Sequence, residues 1–160
     1  MANDEWQTPQ DLFDKLDKEF NFGFDVACTE NNCICAMGIA GKYEDALEAD
    51  WVHYTWYDEI DVCWMNPPYS RGNIDKFAKK AFEESQRGCI VVGLVRCDPS
   101  TIWFQKYVFG KAHEVRMLTR RVKFINPETG KPEQGYNFPC CVVVWKPRLL
   151  EETKFSMFDW

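Results

Sequence analysis

The sequence predicts one α/β domain built on a mostly parallel, doubly wound sheet, with its last strands antiparallel. Three observations carry this. Apolar runs such as Val62-Cys63-Trp64-Met65 and Cys89 to Val95 lack the alternation of a half-exposed strand, so both sheet faces are expected to be covered. Segments with helical periodicity lie between them. No linker-like tract divides the 160 residues, a length that suits a single domain over residues 1–160.

In chain order, Thr8-Pro9 reads as a helix cap followed by proline in the first turn, with Leu12, Phe13, Leu16 and Phe20 on one face. Residues 22–27 form a short buried strand ending near Cys28. Residues 39–43 read less clearly as a strand, followed by the acidic stretch Glu44 to Trp51. Val62 to Met65 is a firm strand. Residues 74–86 form a helix with Ile74, Phe77, Ala78, Ala81 and Phe82 inward. Cys89 to Val95 is the next strand, residues 99–108 a helix, and residues 112–118 and 140–146 the final strands. These two can pair as an antiparallel hairpin with a long polar insertion. The tail, Phe155 to Trp160, is apolar enough to dock on the body or on a partner.

Composition narrows the function. The N-terminus is polar and acidic, unlike a secretory leader, and no apolar run is long enough to span a bilayer, so a cytoplasmic protein without a membrane partner is expected. Of eight cysteines, Cys63, Cys89, Cys140 and Cys141 lie in apolar runs and read as small core residues. Cys28, Cys33 and Cys35 cluster, but lack zinc-ribbon spacing and a nearby histidine, so neither a metal nor a disulfide is expected. The net charge is −6, yet residues 111–131 carry a local +4, from Lys111, Arg116, Arg120, Arg121, Lys123 and Lys131 against Glu114 and Glu128. A basic segment on an acidic body can bind phosphates locally; it can equally be a solvated edge.

Asn66-Pro67-Pro68-Tyr69 carries the most chemistry. It closes an apolar strand, and two prolines stop regular structure there. They leave the Asn66 and Pro67 carbonyls without local partners. The Asn66 side chain adds an acceptor on a short tether, and Tyr69 an aromatic face. Such a corner can hold both hydrogens of an amino group while the ring that carries it stacks on Tyr69. The tetrapeptide resembles the catalytic motif of amino methyltransferases that use S-adenosylmethionine.

The resemblance extends along residues 5–147. Glu5-Trp6-Gln7-Thr8-Pro9, Phe24-Asp25-Val26-Ala27, Asp45-Ala46-Leu47 with Trp51, Thr101-Ile102-Trp103-Phe104 and Arg120-Arg121-Val122-Lys123-Phe124 follow in order. Together they resemble the small phage and prophage adenine methyltransferases of the Dam type. The resemblance implies the S-adenosylmethionine-dependent methyltransferase sheet and methylation of adenine N6 in DNA. It implies catalysis by Asn66, Pro67, Pro68 and Tyr69. It also implies cofactor contacts from Gln7, Thr8, Pro9, Asp25, Ala27, Asp45, Leu47 and Asn66.

Asp25 and Asn66 are expected at strand ends, where ligands of open α/β sheets bind. Asp25 suits the cofactor's cationic amine, and Glu44, Asp45 or Asp50 its ribose or adenine groups. Asp25 can equally be a helix cap. Ser70, Arg71 and Asn73 after the motif, with Arg120, Arg121 and Lys123, are the expected DNA contacts. The family usually has glycine in place of Ala46 and Arg120, so strain at Ala46 is a concern if that turn needs positive φ. An RNA or protein-glutamine methyltransferase, or a non-catalytic DNA- or cofactor-binding relative, is the alternative. A separate large target-recognition domain is not expected.

Overall fold

The computed structural model describes residues 3–40, 43–52, 61–70, 72–133, 138–147 and 152–160. Seven strands form one sheet: β1 (Phe24–Cys28), β2 (Gly38–Ala40), β3 (Val62–Met65), β4 (Ile90–Arg96), β5 (Glu114–Leu118), β6 (Cys140–Trp145) and β7 (Lys154–Phe158). Their spatial order is β2-β1-β3-β4-β6-β5-β7. The β1–β2, β1–β3, β3–β4 and β5–β7 pairs are parallel, whereas β6 runs antiparallel to both β4 and β5. The expected hairpin of the last two strands therefore exists, and its returning strand also closes onto β4.

Central strands are buried without alternation, β6 along all six residues. Because neighbouring side chains point to opposite faces, both faces must be covered. On one, helix α1 (Gln10–Phe20) buries Leu12, Phe13 and Leu16, and the Phe13 ring meets Trp64 edge-on at 5.5 Å. Helix α3 (Asn73–Arg87) buries Ile74, Phe77, Ala78 and Ala81. It also buries Glu84, which is satisfied by the Trp51 N–H at 3.1 Å and the Lys80 ammonium at 2.7 Å. Helices α2 (Tyr43–Glu48) and α4 (Ile102–Tyr107) are short.

Three expectations are corrected. Helix α1 starts at Gln10, with Pro9 in the cap position and no side-chain cap bond, so Thr8 does not cap it. Asp25 lies inside β1, not at its end, level with Trp64 of β3. The strand expected at 39–43 is shorter and gives way to α2; Ala46 is helical, so it carries none of the feared strain, and Asn21 alone among described non-glycine residues has positive φ. The apolar tail docks on the body, one of the two expected outcomes, as a strand of the sheet: β7 pairs with β5 from Glu114↔Lys154 to Leu118↔Phe158.

Candidate active site

Asn66 follows the last residue of β3, and extending the β1–β3 register places Ala27 level with it. The N-terminal segment crosses in front of these strands. Its Gln7 makes a two-way backbone bridge with Ile125, at 2.9 and 3.0 Å. The Gln7 amide also donates to the Asn31 carbonyl, and the Asn32 amide donates to the Glu5 carbonyl. The strap so formed offers the Trp6 carbonyl to Asn66, whose Nδ2 donates to it at 2.9 Å. That bond orients the amide: the donor end is occupied, and Oδ1 faces the Tyr69 hydroxyl at 3.0 Å.

Tyr69 is more tightly held than a free stacking platform. It is 7% exposed. Phe124 and Phe138 pack on it edge-on, each 5.7 Å between centroids. Its hydroxyl donates to the Leu94 carbonyl on β4 at 2.6 Å. A hydroxyl has one hydrogen and an amide oxygen has two lone pairs, so Asn66 Oδ1 keeps acceptor capacity for a ligand. Pro67 and Pro68 are buried beside it.

One cleft adjoins this corner and another lies along the N-terminal strap. The larger, about 690 Å³, is lined by Tyr69, Ser70, Arg96, Asp98, Thr101 and Trp103 among others. Arg96 escaped the sequence reading. It ends β4, and its guanidinium lies 4.0 Å from the Phe138 ring centroid. An arginine at the carboxyl end of a central strand was the available signal. The second cleft, about 420 Å³, is lined by Gln7, Thr8, Asn32, Cys33, Ile34 and Ile125, with Gln10 and Gly130.

Thr8 at the second cleft, and Asp25 behind its Ile34, hold polar groups in reserve. Thr8 is 5% exposed and its buried Oγ1 has no hydrogen-bond partner. Asp25 is 3% exposed. Its carboxylate accepts the N–H groups of Ala27 and Ile34, both at 3.2 Å, and forms no ion pair among the described residues. Burial, only partly offset by those two bonds, pushes its pKa up to about 6. A buried carboxylate without a cation is poised to gain one. Asp25 does not itself line that cleft; it lies behind Ile34, a lining residue whose N–H it accepts.

The remaining candidates are scattered. Asp45 is exposed on α2 and Leu47 is half-buried; neither lines either cleft. Ser70 lines the larger cleft; its N–H donates to Asp4 Oδ1, and its hydroxyl accepts from Asn73 Nδ2 at 2.6 Å. Arg71 lies outside the described residues. Arg121 and Lys123 are exposed while Val122 and Phe124 are buried, the alternation of an extended segment. Arg120 turns to the C-terminal edge: it donates to the Trp160 carbonyl, lies 4.1 Å from the Trp160 ring centroid and 3.8 Å from Asp11.

The Asn66-Pro67-Pro68-Tyr69 corner is fixed at a strand end beside an open cleft, the arrangement expected of a methyltransferase that acts on amino groups. The chain belongs to the DNA N-6-adenine-methyltransferase (Dam) family, whose model matches residues 1–159. A DNA N-6-adenine-methyltransferase of Haemophilus phage HP1 (strain HP1c1) is 32% identical over 147 residues, covering 91% of this chain and 80% of that protein. A DNA N-6-adenine-methyltransferase of Escherichia phage T1 is 29% identical over 151 residues, covering 85% of this chain and 60% of that protein. No helix among the described residues is long and apolar enough to cross a membrane.

Proposed function

We propose that this chain methylates the exocyclic N6 amine of an adenine flipped out of duplex DNA, with S-adenosylmethionine as donor, within one domain. The observation that carries it is the fixed Asn66 amide, its donor end tied to Trp6 and its acceptor end beside Tyr69. The sheet supports the same reading, since an antiparallel strand inserted between β4 and β5 suits the S-adenosylmethionine-dependent methyltransferase type.

An adenine amine is a poor nucleophile, because its lone pair is delocalised into the ring. Asn66 Oδ1 and the Pro67 carbonyl accept its two hydrogens and draw the nitrogen toward tetrahedral geometry. Fixed dipoles then stabilise the positive charge that develops there. Thr8, Gln7, Asp25 and the Ala27 backbone bind and orient the cofactor, Asp25 by pairing with its amine. The cofactor, when bound, supplies the electrophilic methyl group. No covalent enzyme intermediate is required. The amine is inaccessible in a stacked duplex, so the base leaves the helix for the cleft beside Tyr69 and Arg96. Contact with the Tyr69 ring offsets part of that, by about 1–3 kcal/mol for a base–aromatic stack. Ser70, Asn73, Arg121 and Lys123 are the proposed DNA contacts.

Transfer of a labelled methyl group to DNA, RNA and protein tests the reading. Label is expected in DNA, as N6-methyladenine. Label in RNA or on glutamine, or binding without transfer, would replace it.

A further inference from the structure

Cys28 and Cys33 take no chemical part in the proposed methyl transfer, although Cys33 lines the cleft beside Gln7 and Thr8. Cys28 is the last residue of β1 and is buried, whereas Cys33 is exposed and lines the 420 Å³ cleft. Their sulfurs lie 2.6 Å apart. Gly38 on β2 leaves room for the pair: a Cβ there would come within 2.3 Å of the Cys33 sulfur and 2.6 Å of the Cys28 sulfur. Any side chain at Gly38 would push the thiols apart. The loop between the cysteines is held closed by Asn32, whose Oδ1 accepts the Thr29 N–H at 2.6 Å and the Thr29 hydroxyl at 3.1 Å.

We infer that Cys28 and Cys33 form a reversible disulfide by exchange with a low-molecular-weight disulfide of the glutathione type. The exposed Cys33 thiolate attacks one sulfur of that disulfide, and the departing thiolate takes up a proton. The Cys28 thiolate then attacks the Cys33 sulfur, the mixed disulfide breaks, and the second small thiolate leaves. Two protein thiols become one disulfide, and the small disulfide is reduced to two thiols.

A shared cation is the competing use of these residues, since Asp25 also comes within 4.8 Å of both sulfurs. The sequence spacing disfavours it, since the cluster lacks zinc-ribbon spacing and no histidine lies nearby. Reducing compartments disfavour structural disulfides, not exchangeable ones. The bond would lock the loop whose Asn31 and Asn32 hold the N-terminal strap.

The test is thiol mapping of the full chain. The protein is equilibrated in glutathione buffers from reducing to oxidising, quenched with an alkylating agent, and analysed by intact mass and peptide mapping. Two of the eight thiols should become unreactive together, in one cross-linked peptide joining Cys28 and Cys33. The cross-link should vanish in Cys33→Ser, persist in Cys35→Ser, and reverse on adding reduced glutathione. A lasting glutathione adduct on Cys33 with Cys28 still alkylated would overturn the proposal. So would a Cys33–Cys35 cross-link, or two thiols that stay reactive throughout. Zinc retained at one equivalent through desalting, and lost in Cys33→Ser, would make the pair a metal site instead. None of these readings depends on methyl transfer.

Discussion

Replacing Asp25 by asparagine sets two effects of similar size against each other. Burial raises the Asp25 pKa from an ordinary 3.8 to about 6, so the folded protein holds this proton more tightly than the unfolded chain. Stability from this group is fully present below pH 3.8 and is lost as pH rises to about 6. At neutral pH the ionised carboxylate therefore costs the fold about 3 kcal/mol. The Asp25→Asn variant carries no charge there and avoids that cost. Its amide group, however, cannot accept both the Ala27 and Ile34 N–H bonds. One buried donor loses its partner, at about 1–3 kcal/mol. At pH 7 the variant should therefore be between equal to wild type and about 2 kcal/mol more stable, a gain of up to roughly 8 °C in Tm. At pH 4 the folded carboxyl is protonated and only about 0.5 kcal/mol of that cost remains, so the variant should lose its advantage and be equal to or less stable than wild type. Denaturant unfolding of both proteins from pH 4 to 7 isolates Asp25, because every other carboxylate cancels in the difference. That difference should move by about 2 kcal/mol in favour of the variant as pH rises from 4 to 7. S-adenosylhomocysteine, whose amine pairs with the ionised carboxylate, should stabilise wild type most at neutral pH and bind the variant weakly. A flat stability difference would refute the uncompensated charge. Equal affinity for both proteins would make Asp25 a fastener of its loop.

Asn66→Ala should abolish methylation while S-adenosylhomocysteine still binds, because the amide acts mainly in the transition state; substantial turnover would sink the mechanism. Tyr69→Phe, harmless if only the ring mattered, should cost about 1–3 kcal/mol in unfolding free energy, since the Leu94 carbonyl loses its 2.6 Å donor. Tyr69→Ala should also slow methylation of duplex adenine more than of a looped-out adenine, and equal losses would assign the ring to packing. Neutralising Arg121 and Lys123 should each lower the salt slope of DNA affinity by about one, measured at several salt concentrations alongside melting. Arg120→Gln should instead lower Tm and leave that slope unchanged, since Arg120 is engaged with Trp160 and Asp11; a reduced slope without destabilisation would return it to the DNA surface.

The sequence by itself determined the central strands and the Asn66-Pro67-Pro68-Tyr69 corner, for a local reason. Unalternated apolar runs need cover on both faces whatever lies beside them, and two prolines after Asn66 end a strand in any context. Tertiary structure decided everything that depends on partners distant along the chain. Thr8 and Pro9 have the composition of a helix start, yet the strap from Glu5 to Thr8 is drawn over the sheet by Ile125 and Asn31, and Thr8 is buried with a vacant hydroxyl. Tyr69 reads as a stacking ring, but its hydroxyl answers a carbonyl 25 positions away. Arg120 and Arg121 look equivalent in sequence; strand β7, an apolar tail until it finds β5, brings Trp160 to Arg120. A local pattern states which groups a residue carries. Only the packed chain states which of those groups are already satisfied, and the site is made of those that are not.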